Sequence, residues 1–120
     1  INCAACIETD MPPENLLDEL RSIEDSLGRI RRERWRERSI DLDIVFYDGL
    51  VMNTDELTIP HPRVHLRRFV LEPLAEINPG LVHPVLGTTV SELLHSLGDG
   101  EKVVKTAPPS ALFPQKPTVY

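Results

Sequence analysis

Hydrophobic and polar positions alternate along the first residues, with Ile1, Cys3, Ala5 and Ile7 sharing one parity, which predicts a strand from Ile1 to Glu8. The period then changes. Leu16, Leu20, Ile23 and Leu27 recur on one helical face after Pro12-Pro13-Glu14, a start in which proline and glutamate both suit a first turn, and Gly28 is placed to end the helix. Alternation returns in Ser39 to Tyr47, where Ile40, Leu42, Ile44 and Phe46 are expected on a core face and Asp41 and Asp43 on the other, roughly 7 Å apart. Asp48-Gly49 signals a hairpin into a short returning strand, Leu50 to Met52. Ile-Pro-His-Pro at 59–62 predicts a rigid bend, followed by a helical stretch from Arg63 to Ile77 that Pro73 should interrupt or kink. Asn78-Pro79-Gly80 ends it, and a last helix over Thr88 to Leu97 turns Val90, Leu93, Leu94 and Leu97 inward. The segment beyond Gly98 is polar and proline-rich and reads as an extended tail, dividing the chain into a domain at 1–97 and a tail at 98–120.

At 120 residues, 41% of them hydrophobic and 27% charged, the chain suits one soluble globular domain. No run is long enough to span a membrane and no signal segment opens the sequence, which predicts a cytoplasmic protein. A start inside a strand, without methionine, implies residues upstream of Ile1. Cys3 and Cys6 have no further thiol or paired histidine to complete a zinc site, and are expected to be buried, reduced thiols.

Charge changes the picture at one place. The net charge is −6, yet six arginines fall between Arg29 and Arg38, immediately before the Asp41-Leu42-Asp43 strand. General nucleic-acid binding is disfavoured by the overall acidity and by the lack of an aromatic platform, whereas a focused basic site is not. Asp41 and Asp43 are either a solvated strand face or ligands of a hard cation. Magnesium is typically held by one or two carboxylates with substrate phosphates completing its shell, and guanidinium groups neutralise those phosphates. A run of arginines following a helix-ending glycine favours phosphate contact over a helix face laced with ion pairs. Trp35 is either a loop anchor or a lid over a planar ligand; His61, fixed between prolines, is either a ligand-facing donor or a local hydrogen-bond partner. His65, His83 and His95 share no spacing and are assigned no site.

The motifs G-R-I-R-R-E-R-W, R-S-I-D-L-D-I and L-T-I-P-H-P-R-V-H-L-R-R-F-V-L-E-P-L, in that order, resemble the 6-hydroxymethyl-7,8-dihydropterin pyrophosphokinase family over Ile1 to about Leu97. The resemblance implies an α+β, ferredoxin-like α/β sandwich with a mainly antiparallel sheet, whose first strand, helix and loop would precede Ile1. It implies an ATP-dependent pyrophosphokinase that transfers the β,γ-pyrophosphoryl group of ATP to 6-hydroxymethyl-7,8-dihydropterin, with two Mg²⁺ ions on the triphosphate. Carried over by motif, Asp41 and Asp43 would hold the metal, and Arg29 and Arg38 would act near the reacting centre. Glu24, Arg31, Ile44, Thr58, His61 and Arg67 would contact ATP, Ile44 and Thr58 largely through backbone groups. Asn2, Phe69 and Trp35 would contact the pterin. Where the family usually reads R-W-G-P-R, this chain has Arg34-Trp35-Arg36-Glu37-Arg38. A nucleotide-binding fragment of the same fold without a complete acceptor site is the competing expectation.

Overall fold

The computed structural model describes residues 2–34, 41–98 and 118–120, with side chains from 29 to 34 and at 118 excluded. Its class is α+β: β1 (Ile7–Glu8), α1 (Pro13–Arg34), β2 (Met52–Asn53), β3 (Thr58–Ile59), a 3₁₀ turn (Val64–Leu66), α2 (Arg68–Ile77), α3 (Val90–Ser96) and β4 (Thr118–Val119). Both ladders are antiparallel, β1 with β4 and β2 with β3.

Several expectations are corrected. The first strand is hydrogen-bonded only at Ile7–Glu8, and its parity is reversed: Cys3, Ala5 and Ile7 are exposed, while Ala4 packs on the core. Small apolar residues occupy both parities of I-N-C-A-A-C-I-E, so the pattern is weak and the register with Val119 decides the face. The cysteines are accordingly free but not buried, Cys3 being exposed and Cys6 half-buried.

Helix α1 does not stop at Gly28 but runs to Arg34. Gly28 has no positive φ, and an interior glycine costs a helix only about 1 kcal/mol, a penalty that the good helix formers around it absorb. Leu16 is buried and Leu17 and Leu20 pack beside it, whereas Ile23 is exposed. The Asp48-Gly49 turn does form, with Asp48 at φ 49° and the Leu50 N–H donating to the Tyr47 carbonyl at 3.0 Å. The chain leaving it pairs forward instead of back: Met52 sits opposite Ile59, and Thr54 closes the intervening loop by hydrogen bonds with Leu57. Pro73 lies inside a continuous α2, because Leu71 and Leu74 on either side of it are buried and hold the helix by packing. The interruption falls at Arg67, between the 3₁₀ turn and α2.

Helix α3 matches its pattern closely. Thr89 caps it in a capping box, its hydroxyl accepting from the Glu92 N–H at 3.1 Å while the Glu92 carboxylate accepts from the Thr89 N–H at 3.4 Å.

Two apolar clusters result. One contains Phe46, Val64, Leu71, Leu74, Val90 and Leu93; the other contains Leu16, Ile44, Leu57, Ile59 and Val119. Thr118 to Tyr120, the end of the expected tail, return to pair with this body; 99–117 lie outside the described residues.

Candidate active site

Ile44 and Phe46, expected on one face, are buried in different clusters. The reason is local. The N–H groups of Val45 and Phe46 both donate to the Tyr120 carbonyl, at 2.6 and 3.1 Å, and the Tyr120 N–H donates back to Phe46 at 2.8 Å. Two residues opposite one is the pattern of a β-bulge, which resets the alternation and re-aims the side chains before it. The 41–47 segment thus lies on the seam between the clusters. At its outer end Asp41 and Asp43 are exposed on either side of half-buried Leu42.

Helix α1 fixes that end. The Leu42 N–H donates to the Glu24 carboxylate at 3.2 Å, so Glu24, expected among the ATP contacts, holds the backbone between the two aspartates. On the other side the His61 N–H donates to the Val45 carbonyl at 2.9 Å, bringing the 59–62 bend against the carboxylate segment, which is extended chain and not the expected strand: among residues 41–47 only Tyr47 makes a β-bridge, to Val119. The His61 Nδ1 accepts from the Arg63 N–H at 3.3 Å, which leaves the ring proton on Nε2. Burial, more than any charge, holds the His61 pKa below its usual value; Arg67 and Arg63 lower it further and Asp43 opposes them. His61 is therefore a neutral donor at pH 7, in a field shared by Asp43, Arg63 and Arg67.

The Arg67 guanidinium lies 5.7 Å from the centre of the Phe69 ring, a cation–π distance, which puts an expected triphosphate contact beside an expected pterin contact. Ile44 is 3% exposed, so its side chain belongs to the core and only its backbone could meet a ligand. Thr58 is half-buried on β3, its hydroxyl donating to the Asn53 side chain at 3.1 Å. Asn2 is exposed. Arg29 and Arg31 are on α1, with side chains outside the described residues; Trp35 and Arg38 lie outside them altogether.

The helical placement of Arg29, Arg31, Arg32 and Arg34 revises one argument. These residues occupy the last turns of α1, where cations are favoured by the helix dipole, so loop position no longer speaks for phosphate contact. The case rests on the motif and on the groups around Asp43.

The donor set at 41–43 suits a hard divalent cation, since both side chains are exposed carboxylates on a backbone anchored at Leu42 and Val45. Among the described residues no group of three or more His, Cys, Asp or Glu side chains is placed to hold a metal. Sequence reasoning missed Tyr120 and the anchoring contact of Glu24. The β-branched and aromatic triplet Thr-Val-Tyr after the prolines was the available signal for the first.

The sequence profile of the family described as 7,8-dihydro-6-hydroxymethylpterin-pyrophosphokinase (HPPK) matches residues 1–79. A 2-amino-4-hydroxy-6-hydroxymethyldihydropteridine pyrophosphokinase of Haemophilus influenzae is 44% identical over 108 residues, 90% of this chain and 66% of that protein. One of the same name from Methylorubrum extorquens is 45% identical over 97 residues, 81% of this chain and 60% of that protein. The folic acid synthesis protein FOL1 of Dictyostelium discoideum is 41% identical over 108 residues, 90% of this chain but 16% of that protein. The chain thus spans less than two thirds of the length of these relatives.

Proposed function

The chain belongs to the 7,8-dihydro-6-hydroxymethylpterin-pyrophosphokinase family, and from that premise we propose that it carries the nucleotide and metal side of an enzyme of folate biosynthesis. The reaction is ATP-dependent pyrophosphoryl transfer to 6-hydroxymethyl-7,8-dihydropterin. The hydroxymethyl oxygen forms a bond to the β-phosphorus, the bond from that phosphorus to the α-phosphate oxygen breaks, AMP leaves and the hydroxyl proton is released.

The observation that supports this reading best is that Asp43, Arg63 and Arg67 all act on His61, beside a 41–47 segment held by Glu24 at Leu42 and by the His61 N–H at Val45. Transfer of this kind leaves little covalent work to the protein, so alignment and charge neutralisation are what the residues supply. Asp41 and Asp43 would hold Mg²⁺, with two ions as the full complement. When bound, the metal neutralises phosphate charge and orients the triphosphate. His61 donates from Nε2 to a phosphate oxygen, Arg67 pairs with another, and Phe69 offers a ring face to the pterin. Arg29 and Arg38 take the role of neutralising charge at the reacting centre, Arg31 contacts the triphosphate, and Trp35 covers the pterin. Ile44 and Thr58 hold the adenine through backbone groups.

The family's usual companions are thus small molecules, with neither nucleic acid nor membrane as partner. Among the described residues no helix is long and apolar enough to cross a membrane. The free Cys3 and Cys6 fit a reducing cytoplasm.

Calorimetric titration of a non-hydrolysable ATP analogue with and without Mg²⁺, beside a turnover assay, tests the reading. Metal-dependent binding that Asp43→Asn abolishes, accompanied by AMP release in the presence of the pterin, is the expected result. Binding without turnover would reduce the chain to a nucleotide-binding fragment, and equal binding with and without metal would remove the proposed site.

A further inference from the structure

The segment that carries Asp41 and Asp43 has an irregular partner. Nothing pairs it continuously among the described residues; it is held at Tyr47, which bridges Val119, and at Val45 and Phe46, which share the Tyr120 carbonyl. Val119 is 4% exposed in the cluster that contains Ile44, Leu57 and Ile59, and it simultaneously faces Ile7 of β1. The Tyr120 hydroxyl accepts from the Asn78 side-chain amide at 3.1 Å, tying the same residue to the end of α2.

These contacts act on one residue. The Val45 N–H is fixed by Tyr120, and the Val45 carbonyl, pointing the other way, takes the His61 N–H. The bulge therefore sets two things together: how the backbone carrying Asp43 is aimed, and where His61 stands relative to it. Without the Tyr120 carbonyl, two successive N–H groups lose their acceptor and the segment is free to adopt regular pleating. That would shift the alternation by one residue, and a one-residue shift turns every side chain to the opposite face.

We propose that Val119 and Tyr120 are positioning residues for the nucleotide and metal site, holding the bulge at Val45-Phe46 so that Asp43 and His61 face a common ligand. This rests on the functional reading above. The two residues touch neither substrate nor metal; they act through Val45.

The test uses the full chain and two variants. Tyr120→Pro removes the N–H that Phe46 accepts and the hydroxyl that Asn78 meets, and so unseats the residue whose carbonyl Val45 and Phe46 share; Val119→Ala keeps every backbone hydrogen bond and loosens the packing. Amide exchange is followed at His61, whose N–H reports the Val45 contact, and at Leu93, whose N–H bonds to Thr89 within α3 and reports global opening. In parallel, the gain in affinity for a non-hydrolysable ATP analogue on adding Mg²⁺ is measured. In Tyr120→Pro the expectation is about tenfold faster exchange at His61, little change at Leu93, and about a tenfold loss of the Mg²⁺-dependent gain. Val119→Ala should show the same pattern at smaller amplitude, and it decides the matter if the proline variant does not fold. Equal acceleration at His61 and Leu93, or an unchanged Mg²⁺-dependent gain, overturns the positioning role while leaving the functional reading intact. A parent chain with no Mg²⁺-dependent gain overturns the functional reading, and this proposal with it.

Discussion

The two apolar clusters are assembled in opposite ways. The first draws five of its six buried members from residues 64–93, adding only Phe46 from elsewhere, and it is built by α2 and α3 packing on each other and on the 3₁₀ turn. Its connections are short and its hydrogen bonds local: the capping box of α3, and the His83 Nδ1 that accepts from the N–H groups of Val85 and Leu86. The second collects Leu16, Ile44, Leu57, Ile59 and Val119 from four separated stretches, so contacts between the stretches close longer loops. Local contacts cost little closure entropy and long ones more, which makes the second cluster the softer of the two. The candidate site lies on the seam, with Ile44 of its carboxylate segment in this softer cluster. Its backbone can be aimed by distant segments, at the cost of depending on them.

Phe46→Ala strikes the first cluster hardest. The ring is fully buried and meets His83 edge-on at 5.7 Å, so the cavity should lower unfolding free energy by about 3–5 kcal/mol, read by urea denaturation. Leu16→Ala is the matching change in the second cluster. Half-buried Leu17 and Leu20 stand beside it and can close in, so the loss should lie nearer ~2–3 kcal/mol, with Mg²⁺-dependent nucleotide binding weakened as well. An equal loss in both variants would erase the distinction between the clusters.

Thr89→Ala should cost about 1 kcal/mol by removing the capping box, and should leave nucleotide binding untouched because α3 belongs to the first cluster alone. Acidification probes the same cluster. His83 is 6% exposed and its pKa is lowered, by burial first and then by the charge of His65. Below about pH 6.5 the unfolded chain binds a proton that the folded chain refuses, so stability falls as pH drops from that value toward the folded pKa. The urea midpoint should decline across this window, and His83→Gln should flatten the decline; a parallel decline in both would assign it to other groups. The smallest effect is expected from Glu72→Gln. This breaks the 3.3 Å pair with Arg68 one helical turn away, worth about 0.3–0.5 kcal/mol where partly exposed.

Legibility followed the same division. Helix α3 could be read from Thr89, Glu92 and the spacing of Val90, Leu93 and Leu94, because a cap and a helical period are both encoded within a few residues. The exposure of Asp41 and Asp43 was equally legible from alternation. Gly28 was misread because a glycine's effect depends on whether its φ must be positive, which its neighbours alone do not specify. The hairpin after Asp48-Gly49 was half right: the turn is local and forms, whereas the choice of Ile59 over the preceding strand as partner for Met52 is a matter of competition between strands.

The sequence by itself determined the chemistry available, namely two carboxylates, a proline-flanked histidine and an arginine-rich stretch in the order of a known family. It also determined the elements whose signals are short-ranged. Only the tertiary structure decided the bulge at Val45-Phe46, the anchoring of Leu42 by Glu24, and the return of Val119 and Tyr120 to the carboxylate segment. The physical reason is that a backbone N–H or carbonyl is the same group in every residue. Which partner it finds across a long stretch of chain is set by the packing that brings the two together.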